Sequence, residues 1–546
     1  MPRNDADSAA HTTNHSIIQV YGEIMSKNLS CLSFRSNNAP ESAAQSFFSP
    51  SVEEGSKSFY DFTRHENEHK KVHVCCGTAC MVAGGQEQVQ ARLGEHFSEE
   101  EIGHVCCVGR CYENRGFMYN DATYSGNDID TIAEIIAGNN GLAGSACPVD
   151  LLARESMLTP RSLDLKEMYL LAATYSDKPQ KLINEIQSAQ LRGRGGAGFP
   201  IYLKLASFSA ATGTYRYIVC NADEGDPGAY SDRYLLEQQP HLVLFGMLVC
   251  GLANNATEGI IYIRYEYPEA LAKIEAAIDE LKSYSPFTFR IYKGHGAYVC
   301  GEETALINSI EGQRPEVRVR PPYPTFEGLF GMPTLLSNVE TFANFFWILA
   351  HGGERFARYG SAESRGNKLV CLDSCFNKPG VYEVELGTSL AKIIASAGGF
   401  TTPLKAVQIG GPLGGIIPVG KAETMNLDFE SLHASGFLMG HAGIVGIPEH
   451  FSMLQYICHL LKFARDESCG KCFPCRIGSQ RAYELVSTAL DNNEPVSFAL
   501  LEEILWTMEK GSLCALGGGL PLPIKNVLMY FSDELSRHIP FSGGGA

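Results

Sequence analysis

Two sets of cysteines in this sequence have spacings suited to metal chemistry. Cys469-x2-Cys472-x2-Cys475, with Cys514 further on, is the signature of a 4Fe-4S cluster. Closely spaced thiolates on a tight loop clasp three cluster corners, and a distant thiolate caps the fourth. Zinc is the competing occupant. Nearer the start, Cys75-Cys76-Gly77-Thr78-Ala79-Cys80 and Cys106-Cys107-Val108-Gly109-Arg110-Cys111 offer thiols from two loops. These suit an iron–sulfur cluster, a zinc site or a redox dithiol. Cys76 and Cys106 each adjoin another candidate ligand, so spacing leaves the choice open.

Between the two sets lies Arg192-Gly193-Arg194-Gly195-Gly196-Ala197-Gly198-Phe199-Pro200, with Lys204 just beyond. So dense a glycine run is costly unless the backbone turns tightly or approaches something closely. Unobstructed N–H groups beside a cation make a phosphate cradle. Four further stretches follow. Asn221-Ala222-Asp223-Glu224-Gly225-Asp226-Pro227-Gly228 succeeds a strand candidate at Tyr217–Cys220, where open α/β sheets place ligands. Tyr298, Gly301, Glu302 and Glu303 run into a helical pattern over Ala305–Ile310, and the two glutamates suit its positive end. Arg320-Pro321-Pro322-Tyr323-Pro324 is stiff and extended, and Ser337, Asn338 and Thr341 enter a further helix.

The elements that must position these residues alternate. Strands at Tyr217–Cys220, Gly259–Arg264 and Phe287–Tyr292 are separated by helices over about 232–252 and 268–283, predicting a mainly parallel sheet with covered faces. The whole divides into an expected polar extension at 1–70, a thiol-bearing unit at 71–140, a linker, an α/β domain at 155–365, a β-rich piece at 366–445 and a helical end at 446–546. The extension is expected to be mobile or loosely helical and to carry no chemistry. Cys371 and Cys375 read as packed thiols, Gly410-Gly411-Pro412-Leu413-Gly414-Gly415 as a plain turn, and Trp506 as core packing.

With 546 residues and 45% hydrophobic content the chain has ample material for several cores. A net charge of −17 argues against a nucleic-acid binder. The longest apolar run, Leu242–Ala253, is too short to span a bilayer. The start does not resemble an export signal, and 18 cysteines then imply reduced, metal-binding thiols and a cytoplasmic location, the cytoplasmic face of a membrane complex included.

The runs GRGGAGFP, NADEGDPGAYSDR, GAYVCGEETALINSIEG, RPPYP and SNVET, in that order, resemble the NADH-binding flavoprotein subunit of respiratory complex I. They are equally similar to the diaphorase subunits of NAD-dependent formate dehydrogenases and of NAD-reducing and electron-bifurcating hydrogenases. Residues 71–140 resemble the thioredoxin-like 2Fe-2S domain of the same enzymes, and that spacing selects Cys75, Cys80, Cys107 and Cys111 as ligands.

The resemblance implies a Rossmann-like FMN/NADH domain, a β-grasp insert and a C-terminal helical bundle carrying Cys469, Cys472, Cys475 and Cys514 on a 4Fe-4S cluster. It implies that Gly193 and Lys204 hold the phosphate side of FMN. Asn221, Asp223 and Glu224 would bond the flavin and ribityl groups, Tyr298, Gly301, Glu302 and Glu303 would line the isoalloxazine pocket, and Asn338 and Thr341 would close the phosphate end. Phe199 and Tyr323 would flank the NADH adenine, with Asp226 and Glu303 at its polar edges, and Glu303 would disfavour a 2′-phosphate by like charge. Ser337 replaces a frequent asparagine, and the aromatic expected after the lysine falls one residue late, at Phe208.

Hydride chemistry moves two electrons, clusters carry one at a time, and a flavin does both. The implied activity is electron passage between NAD(H) and iron–sulfur clusters through FMN, with no general base. The expected setting is a hetero-oligomer such as an NAD-dependent formate dehydrogenase, in which other iron–sulfur and catalytic subunits handle the second substrate. The alternatives are a hydrogenase or complex I-like diaphorase, a stand-alone reductase, and a non-catalytic iron–sulfur scaffold.

Overall fold

The computed structural model describes residues 50–67, 69–138 and 146–539. The expectation of mobility for residues 1–49 lies outside the described residues. Residues 50–67 are not a loose extension. After a helix at Pro50–Lys57, Tyr60 is buried with its hydroxyl 2.7 Å from Ser309 Oγ, and Phe62 stacks on Tyr265 at 4.2 Å. The aromatic residues Phe59, Tyr60 and Phe62 supply the apolar surface that the surrounding polar composition conceals.

The first thiol-bearing unit is a four-stranded sheet. β1 (Val72–Cys75) and β2 (Ile102–Val105) run parallel, and β3 (Phe117–Tyr119) and β4 (Ala122–Tyr124) form a hairpin beside β1, in the order β2-β1-β3-β4. Alternating Val72 and Val74 pack with Phe117, Tyr124, Val89 and Leu93. The helix expected to run through Leu93 is two helices, Thr78–Ala83 and Gln86–Leu93, because Gly84 and Gly85 take φ of 71° and 87°.

A short strand, β5 (Val149–Leu151), precedes the α/β domain. There β6 (Tyr217–Ala222), β7 (Glu258–Ile263), β8 (Phe289–Lys293) and β9 (Thr334–Asn338) form an all-parallel sheet in the order β8-β7-β6-β9. The chain leaves β6 toward β7 on one side and returns as β9 on the other. The carboxyl ends of β6 and β9 therefore form a topological switch point, with Asn221 opposite Asn338. The expected helix over 232–252 is two, Ser231–Gln238 and Pro240–Ala253, bent by 92°. Pro240 lacks an amide hydrogen and forces Gln239 out of helical geometry. The second of these helices is apolar on all sides and buried, packing against the helix Val339–His351. Gly246 permits that approach: a Cβ there would lie 2.2 Å from the Phe342 carbonyl oxygen. Among the described residues no single helix is long and apolar enough to cross a membrane.

The β-rich piece is larger than 366–445. β10 (Asn367–Leu372), β11 (Gly380–Glu385), β12 (Leu404–Ile409), β13 (Gly415–Pro418) and β14 (Gly443–Pro448) join β5 in a six-stranded mixed sheet, ordered β13-β12-β14-β10-β11-β5. The linker thus contributes an edge strand, paired parallel to β11. Cys371 and Cys375 are buried. The C-terminal region packs helices Met453–Asp466, Phe473–Asn492, Phe498–Gly511 and Pro521–Tyr530. Trp506 is 58% exposed and is not core: Leu501, Leu505 and Met508 form the inward stripe of its helix, and Trp506 stands one residue off it.

Candidate functional site

The glycine-rich loop links the helices Pro179–Ala189 and Ile201–Ala210 and closes on itself through Gly193 N–H donating to the Phe199 carbonyl at 2.9 Å. Its far side meets β9. Arg194 N–H donates to Thr341 Oγ1 at 2.9 Å, and Asn338 caps the helix Val339–His351 by accepting from Thr341 N–H. A Cβ on Gly195 would stand 3.0 Å from Asn338 Cβ, so glycine lets the loop approach Asn338 closely. Gly193, Asn338 and Thr341 therefore belong to one cradle. Lys204 lies elsewhere on its helix, 2.9 Å from Glu303 Oε2 and donating to the Leu336 carbonyl.

At the end of β6, Asn221 Nδ2 donates to the Gly301 carbonyl and Asn221 Oδ1 accepts from Asp223 N–H. This joins the 221–228 and 298–303 loops. Asp223 Oδ2 is buried with no hydrogen-bond partner, and burial pushes the carboxyl up to about 8, against the pull of Arg264. An orphaned carboxyl group at a switch point is what a polar ligand edge would satisfy. Glu224 faces the other way. It accepts from Asp232 and Arg233 N–H at the start of the helix Ser231–Gln238 and from the Tyr267 hydroxyl, so it fixes the loop. Glu302 caps the helix Glu303–Ile310 through Thr304 and Ala305 N–H.

Glu303 and Asp226 occupy separate networks. Burial disfavours the charged form of Glu303, but Lys204 and Arg320 outweigh it and hold the carboxyl below its ordinary range. Its charge is thus paired by two cations. Asp226 instead accepts from the Tyr298 hydroxyl at 2.6 Å and faces His441. Phe199 and Tyr323 stand 47% and 54% exposed, whereas Phe208 is fully buried and has no free face for stacking. A cavity of about 390 Å³ opens between Ile307, Glu311, Arg318 and Phe330 and is lined by none of the expected cofactor residues.

The first thiol set closes into one group. Cys75 neighbours Cys80 and Cys107, and Cys107 Sγ is 3.5 Å from Cys111 Sγ. All are buried, while Cys76 is exposed and donates to the Val105 carbonyl. Gly228 N–H, from the 221–228 loop, points to Cys111 Sγ at 3.2 Å, so this group abuts the switch-point loop. Sequence reasoning missed two arginines that hold the join. Arg264 donates to the Cys107 carbonyl at 2.7 Å and Arg233 to the Val108 carbonyl at 3.0 Å, while Arg110 braces the thiol-bearing unit internally by donating to Thr123. Arg233 closes the NADEGDPGAYSDR run, whereas no motif contains Arg264.

In the second set, Cys472 caps the helix Phe473–Asn492 and Cys475 lies in its first turn, and Cys514 caps Ala515–Gly519. Cys475 neighbours Cys469, Cys472 and Cys514. Cys469 packs with Val299 and Ala305, so this group shares a wall with the 298–303 loop. Among the described residues no three His, Cys, Asp or Glu side chains close on the point of a single metal ion. A cluster, whose irons take separate thiolates, does not require that.

A glycine loop and an orphaned carboxyl group at the carboxyl ends of a parallel sheet, with a thiol group against each neighbouring loop, suit a flavin- and iron–sulfur-bearing oxidoreductase. Comparison with known proteins gives the family. Residues 186–347 match the Nuo51 FMN-binding domain, 377–417 the SLBB domain, and 455–538 the NADH-ubiquinone oxidoreductase-F iron-sulfur binding region. The NADP-reducing hydrogenase subunit HndC of Solidesulfovibrio fructosivorans is 37% identical, over 70% of this chain and 81% of its own. The mitochondrial NADH dehydrogenase (ubiquinone) flavoprotein 1 of Dictyostelium discoideum is 36% identical, over 66% of this chain and 78% of its own. The NAD-reducing hydrogenase HoxS subunit alpha of Cupriavidus necator is 31% identical, over 88% of this chain and 86% of its own. An NAD+-reducing NiFe-hydrogenase structure in the air-oxidised state superposes with a TM-score of 0.83, at 26% identity, over 97% of this chain and 94% of that chain. The chain belongs to the NADH-binding FMN and iron–sulfur flavoprotein family shared by complex I and NAD-reducing hydrogenases. It is an NAD(H)-dependent oxidoreductase, with FMN and iron–sulfur as its cofactors.

One pH effect follows from Asp223. Its carboxyl is raised in the folded, flavin-free chain, so the stability it contributes is complete below about pH 4 and is lost as pH rises toward 8. Asp223→Asn should remove a slope of up to about 1.4 kcal/mol per pH unit across that window. Urea melts of flavin-free protein at pH 5, 6.5 and 8 measure it, and parallel curves for the two proteins would contradict it.

Proposed function

We propose that this chain is a diaphorase subunit whose residues hold FMN at the switch point and NADH over it, with a cluster on each side. FMN, when bound, exchanges hydride with NAD(H) and single electrons with clusters. Gly193, Asn338 and Thr341 hold the phosphate end. Asn221, Asp223 and Gly301 address the ring and ribityl groups, with Glu224 and Glu302 fixing the backbone they stand on. Lys204 orients Glu303, and Phe199 and Tyr323 offer exposed rings to the adenine. Cys469, Cys472, Cys475 and Cys514 hold the 4Fe-4S cluster. Cys75, Cys80, Cys107 and Cys111 hold a 2Fe-2S cluster on a thioredoxin-like domain. The observation that carries this reading is the unpartnered Asp223 Oδ2, buried beside Gly301 at the carboxyl end of β6.

The likeness to HoxS subunit alpha spans 88% of the chain, which favours a hydrogenase-type diaphorase with other redox subunits as partners. No formate dehydrogenase is among the relatives reported above, so that setting is the second form of the same proposal. An anaerobic ultraviolet–visible spectrum before and after NADH tests the function. Flavin and cluster absorbance should both bleach; a chain reconstituted with FMN, iron and sulfide that holds neither chromophore is a scaffold. Lys204→Ala is expected to lower FMN occupancy about tenfold through the loss of an ion pair and a hydrogen bond. Full occupancy measured by released flavin would contradict it.

A further inference from the structure

The turn Gly410–Gly411 and the segment Gly440–Gly443, both in the β-grasp insert, close around Asp226. A Cβ on Gly411 would stand 2.6 Å from Asp226 Cγ, and one on Gly410 would stand 2.5 Å from the Met439 carbonyl oxygen. The glycine-rich turn therefore faces the site rather than merely connecting β12 to β13. Between these glycines His441, 9% exposed, places Nε2 2.8 Å from Asp226 Oδ2. Its Nδ1 accepts from Gly443 N–H at 3.2 Å, which leaves Nε2 to carry the proton in the neutral ring. The next residue, Ala442, is held at a φ of 68°, a strained conformation for alanine that fixes the ring's approach. Nε2 is close to Asp226 but off the hydrogen-bonding direction, and this buried atom makes no hydrogen bond in the ligand-free chain.

Asp226 in turn accepts from the Tyr298 hydroxyl, whose ring is locked edge-on against Phe463 at 4.8 Å and whose N–H donates to Glu467. Resting on the functional reading above, we infer that His441 is a positioning residue of the NAD(H) pocket: it pins Asp226, and through it Tyr298, so that the insert sets the shape of the space over the flavin. Catalytic hydrogen bonds are often bent without ligand and tighten on binding. The pinning is thus expected to matter most when nicotinamide is present.

The test uses the full chain loaded with FMN and clusters. His441→Leu removes the donor, and His441→Gln restores an N–H. Calorimetric titration with NAD+ should show about tenfold weaker binding for His441→Leu, consistent with losing one hydrogen bond that closes only when nicotinamide binds. The KM for NADH should rise in parallel with little change in kcat, while FMN and iron content stay at the unaltered level. His441→Gln should recover most of the loss. Unchanged NAD+ binding in His441→Leu, or equal losses in both variants, would overturn the inference. So would a shared loss of FMN, which reports a purely structural role. An unaltered chain that binds neither FMN nor NAD+ refutes the functional reading itself, whatever the variants do.

Discussion

Cys472→Ser is expected to abolish reduction of the partner acceptor while NADH still reduces an artificial dye. Cys472 stands at the N-cap of the helix Phe473–Asn492. Serine is a preferred N-cap residue, so the helix start is kept and the lost group is the thiolate alone. Disturbing an outer partner of a metal ligand already costs about 10–100-fold, and loss of the ligand costs more. The flavin cradle lies on other elements, so FMN content and NADH-to-dye turnover should stay near the unaltered level. Iron content, low-temperature electron paramagnetic resonance and both turnover rates measure it. Undiminished reduction of the partner acceptor would remove the cluster from the electron path. Equal loss of dye activity would place the cysteine in the flavin site.

The cysteine motifs and the glycine run were legible because ligand geometry constrains both residue type and spacing. Alternation of strands and helices gave the parallel sheet, and β6 to β8 fall within a few residues of expectation. The breaks were harder to see. The Gln239–Pro240 bend sits in the polar stretch Glu237-Gln238-Gln239-Pro240-His241, where the proline ends one helix and opens the next; the apolar residues on either side signal burial but not direction. The extent of the β-grasp sheet escaped the sequence because β5 is three residues long and exposed, and is defined by its pairing with β11.

Side-chain roles separated from positions for the same reason. Glu224 and Asp223 are adjacent, yet one caps a helix and the other is left without a partner. Nothing in a linear sequence distinguishes them. Tyr60 and Phe62 read as part of a polar segment, and their partners, Ser309 and Tyr265, are hundreds of residues away. The same distance hid His441, which acquires a role only through the fold that carries it to Asp226.

Arg264→Met is expected to destabilise the chain by about 3–5 kcal/mol, the usual cost of leaving half of a buried ion pair behind. Arg264 and Glu266 are each 4% exposed and lie 2.7 Å apart. The same guanidinium donates to the Glu224 and Cys107 carbonyls, joining the switch-point loop to the first thiol loop. It also lies over the Tyr267 ring, 5.0 Å from its centre. Tyr267 is packed so tightly that a Cβ on Gly109 would fall 2.6 Å from it. Methionine fills much of the arginine's volume but satisfies neither carbonyl and leaves Glu266 an unpaired buried charge. Adding Glu266→Gln removes that charge and should restore a substantial part of the stability, though not the carbonyl contacts. The two effects separate in the readouts. Thermal and urea melts follow the ion pair, whereas the signal of the proposed 2Fe-2S cluster follows the Cys107 carbonyl contact and should remain weak in the double variant. A double variant no more stable than Arg264→Met would show that the carbonyl contacts, not the ion pair, hold the two domains together.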